Sequence, residues 1–146
     1  MKFIVFTLTA MLTLGTLKSN AQDISVSAAV ANSFQSTFKN ASDVQWKDGG
    51  TYFKADFNLN GQYVTAFYSA NATLMAVTKN ISSVQLPVTL QTNLKASYED
   101  YWVSELFEVS DENGTSYYAT VENGDAKITL KSSGSTWTTY KKSRKS

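Results

Sequence analysis

Six carboxylates crowd one stretch of the chain: Glu99, Asp100, Glu105, Glu108, Asp111 and Glu112. Paired carboxylates can hydrolyse glycosides, one acting as acid and the other as base or nucleophile, and clustered ones can hold calcium. The spacing supports neither. Asp111-Glu112-Asn113-Gly114 lacks the alternating ligands and the closing Glu of a calcium loop, and it reads as a solvated turn. Composition closes off most other reactions. With no Cys and no His, the chain can form no thiol or imidazole nucleophile, no Ser-His-Asp relay, no zinc finger, no imidazole-ligated haem and no disulfide. The sequence therefore assigns no catalytic residue, no metal ligand and no cofactor.

What remains is recognition. Tyr and Trp dominate binding hot spots because a large rigid ring with a polar tip gains contact area at small entropic cost. Five candidates stand out. Tyr52 falls on the wet face of a strand, Tyr63 flanks a hairpin and Trp137 lies on the last strand. Of Tyr117 and Tyr118 one must point outward, since successive strand residues face opposite ways. The competing reading is that aromatic residues are favoured in any strand and pair across it. Trp46 and Trp102 read as core beneath helices.

The elements that would carry these rings follow from periodicity. Val30, Phe34 and Phe38 recur at three- and four-residue steps and predict an amphipathic helix over 27–40, capped by Ser25 or Ser27. Its neighbours then alternate with period two. Val44 and Trp46 open a strand, and Asp48-Gly49-Gly50 turns the chain. Phe53, Ala55, Phe57 and Leu59 alternate with Tyr52, Lys54, Asp56 and Asn58, giving one apolar face and one wet face. Asn60-Gly61 is a strong hairpin signal, and strands over 62–68 and 73–78 follow.

Leu86-Pro87 restarts the programme. Pro suits a first helical position, and Leu90, Leu94 and Tyr98 follow at four-residue steps. Strands over 102–109, 116–121, 126–131 and 137–140 come next, with Asn123-Gly124 as a second hairpin turn. Phe34 and Phe38 map onto Leu94 and Tyr98 at an offset of 60, and Asn60-Gly61 onto Asn123-Gly124 at 63. The expected fold is α+β: a tandem repeat of helix plus four-stranded antiparallel sheet, halves about 27–80 and 86–140, helices on one face.

Residues 1–21 read as a secretory signal peptide. Lys2 precedes an apolar run from Phe3 to Leu17, and Ser19-Asn20-Ala21 places small residues at a cleavage site. The run is short of the roughly 20 residues that span a bilayer, so no membrane span is expected after cleavage, and the mature chain is 22–146. Of the thirteen bases, Lys2 and Lys18 lie in the leader, leaving eleven against twelve acids. Four of those eleven, Lys141, Lys142, Arg144 and Lys145, crowd the C-terminus and read as a solvated tail. An acidic body argues against a nucleic-acid partner.

The run of Phe34, Phe38-Lys39-Asn40-Ala41 and Val44-Gln45-Trp46, with Tyr52, Phe57, Gly61, Leu86-Pro87, Tyr98 and Tyr101, resembles the β-lactamase-inhibitor-like, PepSY-like proteins exported by Bacteroidetes. The chain departs from that pattern at Lys39, where Pro is common, and at Asn71, where Gly is usual. The resemblance spans nearly the whole mature chain. It implies a tandem fold like that of the β-lactamase inhibitory protein, export to the periplasm or beyond, and no catalytic residue. Inhibitors of that fold bind an enzyme with an open, aromatic-rich sheet face and its hairpins. That role is not carried over here, because Gln62-Tyr63 and Asp125-Ala126 are ordinary turn-flanking residues. The expectation is a periplasmic or secreted, non-catalytic binding protein with a protein or peptide partner. The alternatives are a small carboxylate-dependent hydrolase, marked by a pocket with two carboxylates, and a structural envelope subunit that pairs through its sheet.

Overall fold

The computed structural model describes residues 25–146, so the leader read at 1–21 lies outside the described residues. Helix α1 (Ala28–Thr37) starts where Ser27 Oγ accepts the Val30 amide at 3.3 Å. It ends where the Phe38 amide still reaches the Phe34 carbonyl at 2.8 Å. Four strands follow: β1 (Ala41–Asp48), β2 (Tyr52–Leu59), β3 (Gln62–Ser69) and β4 (Leu74–Asn80). A short 3-10 turn leads into α2 (Val88–Ser97), then β5 (Trp102–Asp111), β6 (Gly114–Glu122), β7 (Ala126–Ser133) and β8 (Thr136–Arg144).

The eight strands form one antiparallel sheet in sequence order. The two groups of four that the pattern suggests run on into one another, because β4 and β5 are joined by a ladder from Ala76↔Asp111 to Asn80↔Phe107. The outer strands β1 and β8 keep free edges. Directly opposed residues share a face, which fixes where the helices lie. Ala55, Ala66 and Val77 line up under α1, and Val77 opposes Ser110. Leu106 shares that face by alternation and lines up with Ala119 and Leu130 under α2. Both helices thus cover the same side.

Each helix seals its own core. Val30 and Phe34 pack on Ala55, Phe57, Val64 and Tyr68, with Phe34 edge-on to Trp46 at 5.2 Å and to Phe57 at 5.0 Å. Leu94 packs on Leu106, Ala119, Val121, Ile128 and Leu130. Burying such side chains gains roughly 1.5–3 kcal/mol each, which a ten-residue helix needs because it is marginal alone.

Several local expectations are corrected. Pro87 is the N-cap of α2, one position before the first helical residue. The Asn60-Gly61 turn has the expected positive φ at both residues, 52° and 82°. Asn123-Gly124 closes its hairpin differently: neither residue has positive φ, and Asn123 Oδ1 accepts the Asp125 and Ala126 amides at 2.9 and 2.8 Å. Strand β8 runs on through Arg144, so most of the basic C-terminus is paired strand rather than tail. Trp102 is 53% exposed, not core. A register shift between Val103 and Glu105 leaves it opposite Glu122, on the side away from the helices.

Candidate functional site

Neither helix lies over the second face of the sheet, yet its middle is not wet. Asp56, Thr65, Phe67, Val109, Tyr118 and Thr120 are all buried there, against the expectation that the side of β2 bearing Asp56 is solvated. Neighbouring strands bring same-face side chains together until they close over one another.

On β2 and β3 the centre is a carboxylate. Asp56, 7% exposed, accepts the Thr65 hydroxyl at 2.6 Å and is paired with Lys54 at 3.3 Å and Lys47 at 3.7 Å. Three partners meet the demand of a buried charge. Tyr63, 51% exposed, stands next to it, its phenol pushed up by burial and then by the Asp56 charge. Tyr52 lies 5.8 Å from Phe67 and folds over Gly49, where a Cβ would come within 2.3 Å of its ring. A side chain at position 49 would push the Tyr52 ring aside.

On β5 to β8 the centre is Tyr118, 1% exposed. Phe107 stacks on it at 5.2 Å and 5°, Tyr140 meets it edge-on at 5.5 Å, and the Lys131 ammonium sits 5.6 Å from the ring centroid. These are favourable aromatic and cation-π geometries. Tyr118 Oη is buried without a hydrogen-bond partner. Burial raises its pKa, and Lys131 partly opposes that.

Beside this cluster a recess of about 450 Å3 is lined by Glu105, Thr120, Glu122, Lys127, Thr129 and Lys141, among others. Lys145 pairs with Glu122 at 3.0 Å and lies 4.5 Å over the Trp102 ring. Ser104 and then Lys145 hold the Glu122 carboxyl below its ordinary pKa. The recess thus holds two carboxylates, Glu105 and Glu122; a general acid needs a raised pKa, so Glu122 is not fitted to that role. Among the described residues no group of three or more acidic, His or Cys side chains is placed to hold a metal. No described helix is long and apolar enough to cross a membrane.

The structure divides the five candidate aromatics. Tyr52, Tyr63 and Tyr118 are on the helix-free face. Tyr117 and Trp137 are on the other, packed at the α2 core, with Trp137 Nε1 donating to the Leu90 carbonyl at 2.9 Å. Sequence reasoning missed Phe107, Tyr140 and the Trp102–Lys145 pair. β5 carries apolar residues on both faces, so alternation does not reveal the side of Phe107, and the shift between Thr129 and Leu130 re-aims Tyr140.

No family model and no curated protein matches the chain. Solved structures do. A BLIP-like protein of Bacteroides fragilis superposes with a TM-score of 0.70 at 23% identity, covering 83% of this chain and 87% of that one. A Bacteroides eggerthii protein provisionally called periplasmic gives 0.74 at 14% identity, over 83% and 90%. A DUF2874 family protein of Bacteroides uniformis gives 0.73 at 16% identity, over 82% and 90%. Similarity that spans most of both chains at such low identity is similarity of fold, and the fold of this chain is that of the BLIP-like and DUF2874 proteins of Bacteroides.

Proposed function

We propose that this protein is an exported, non-catalytic binding module that grips a protein partner with the helix-free face of its sheet. One observation carries the reading: both helices occupy one side, while the other presents Tyr63 and Trp102 to solvent on either side of the packed cluster of Phe107, Tyr118 and Tyr140. Trp102, with the Lys145 ammonium 4.5 Å over its ring, is held before contact and loses little freedom on binding. Residues 1–21 would direct export to the periplasm or beyond, and 22–146 would be the working module. Its halves, 27–80 and 86–140, are read as copies of one unit, supported by two ten-residue helices that bury Phe34 and Leu94 at matching positions. In the alternative reading as a carboxylate-dependent hydrolase, Glu122, held charged by Ser104 and Lys145, is unfit to be the general acid.

Photo-crosslinking tests this. A crosslinking phenylalanine analogue at position 63 should yield a discrete adduct in envelope extract, and the same analogue at the exposed Val88 of α2 should not. Equal labelling at both positions, labelling at 88 alone, or none at 63 overturns the reading.

A further inference from the structure

We propose that the recess on the helix-free face receives a carboxylate-bearing segment of the partner, with Lys127 and Lys141 as its charged contacts. The inference rests on the proposed function for the partner being a protein, and it adds the chemistry of what that partner presents.

The recess is rich in polar groups that are unequally engaged. Its carboxylates have partners: Glu122 pairs with Lys145 at 3.0 Å, and Glu105 accepts the Thr120 hydroxyl at 3.4 Å. Its ammonium groups are less fully engaged: Lys127 faces Glu122 across the β6–β7 ladder and helps to hold that carboxyl charged, but Lys145 is the ammonium in contact with it. Among the described residues, neither Lys127 nor Lys141 makes an ion pair within 4.0 Å, and both are exposed. The register aims them at the same space: Lys127 opposes Ser143 and Lys141 opposes Thr129 across the β7–β8 ladder. They are therefore diagonal neighbours on one face, with Cβ atoms roughly 7 Å apart. One carboxylate can sit between two ammonium groups at that spacing, with the Thr129 hydroxyl in the floor.

Over β5 to β8 and the turns that flank them, Lys127, Lys131, Lys141 and Lys145 on the helix-free side balance Glu105, Asp111, Glu122 and Asp125, so the positive excess is confined to the recess, where Lys127, Lys141 and Lys145 meet Glu105 and Glu122. A volume of about 450 Å3 exceeds one side chain, so the fit is to a short acidic segment rather than a lone anion. Positive potential in a partly enclosed site attracts such a segment and weakens with salt.

The test uses isotope-labelled protein followed by amide chemical shifts, with capped tetraglutamate, capped tetraglutamine and inorganic phosphate as probes. Tetraglutamate should shift Lys127, Thr129 and Lys141, weaken as salt rises, and bind roughly five- to tenfold less tightly to the Lys127→Gln/Lys141→Gln protein. Equal shifts with tetraglutamine or phosphate, salt-independent binding, or full affinity in a double variant with unchanged unfolding would overturn the assignment. If tetraglutamate fails while crosslinking at 63 succeeds, the recess assignment alone falls. If tetraglutamate binds while crosslinking at 63 fails, the recess stands and the face as a whole does not.

Discussion

Two phenol oxygens, Tyr68 Oη and Tyr118 Oη, are buried without hydrogen-bond partners, and each forfeits the bond it makes to water when unfolded. An unmet buried hydroxyl costs roughly 1–3 kcal/mol. Tyr118→Phe should therefore be neutral or stabilising by about 1 kcal/mol in urea unfolding at pH 7. Its folded pKa is raised by burial, so its contribution holds below the unfolded phenol value and is lost as pH rises through the folded one. The variant should lose less stability in alkali. Glu122 behaves oppositely. Its pKa is lowered by Ser104 and Lys145, so its contribution is present above the ordinary carboxylate range and lost as pH falls through the lowered value. Glu122→Gln should flatten that part of the acid limb in pH-dependent thermal melts. The buried ring of α1 was legible because helical spacing alone selects Phe34. Trp102 was not. At the 60-residue offset it stands where Ser42 stands, and Leu106 holds the place of Trp46. A bulge resets alternation, and no residue type marks the one between Val103 and Glu105.

At the scale of elements, the helices and most strands were readable because period 3.6 and period 2 separate cleanly, as in Phe53, Ala55 and Phe57. The second hairpin was read correctly in place and wrongly in mechanism. A side-chain amide can close a turn as well as a positive φ can, and Asn supports both. The length of β8 was hidden because Lys141, Lys142 and Arg144 look like a tail until β7 is there to pair with them. Trp137 was misjudged as an outward ring because its partner is 47 residues away. Its indole ties β8 to the main chain of α2, so Trp137→Phe should cost roughly 0.5–1.5 kcal/mol and speed amide exchange in α2. Unchanged exchange would show that the tie bears no weight.

At the scale of the molecule, the sheet is continuous but the core is not. Phe34 and Leu94 belong to different clusters, bridged by the β4–β5 ladder. Leu94→Ala should cost roughly 2–5 kcal/mol and lower exchange protection in β5 to β8 more than in β1 to β4; uniform loss would mean the two clusters melt as one. The burial of the helix-free face could not be read in advance, because Phe107, Tyr118 and Tyr140 come from three strands and meet only through long-range register. The unclosed ladder leaves main-chain donors and acceptors bare at both ends, an invitation for copies to zip together into fibres. At one end β1 is kinked, with Asp43 in the left-handed region at φ 54°. At the other, Lys141, Lys142 and Arg144 repel an identical strand. Brine can mask that repulsion but cannot straighten the kink, so concentrated salt disarms only one of the two guards against polymerisation.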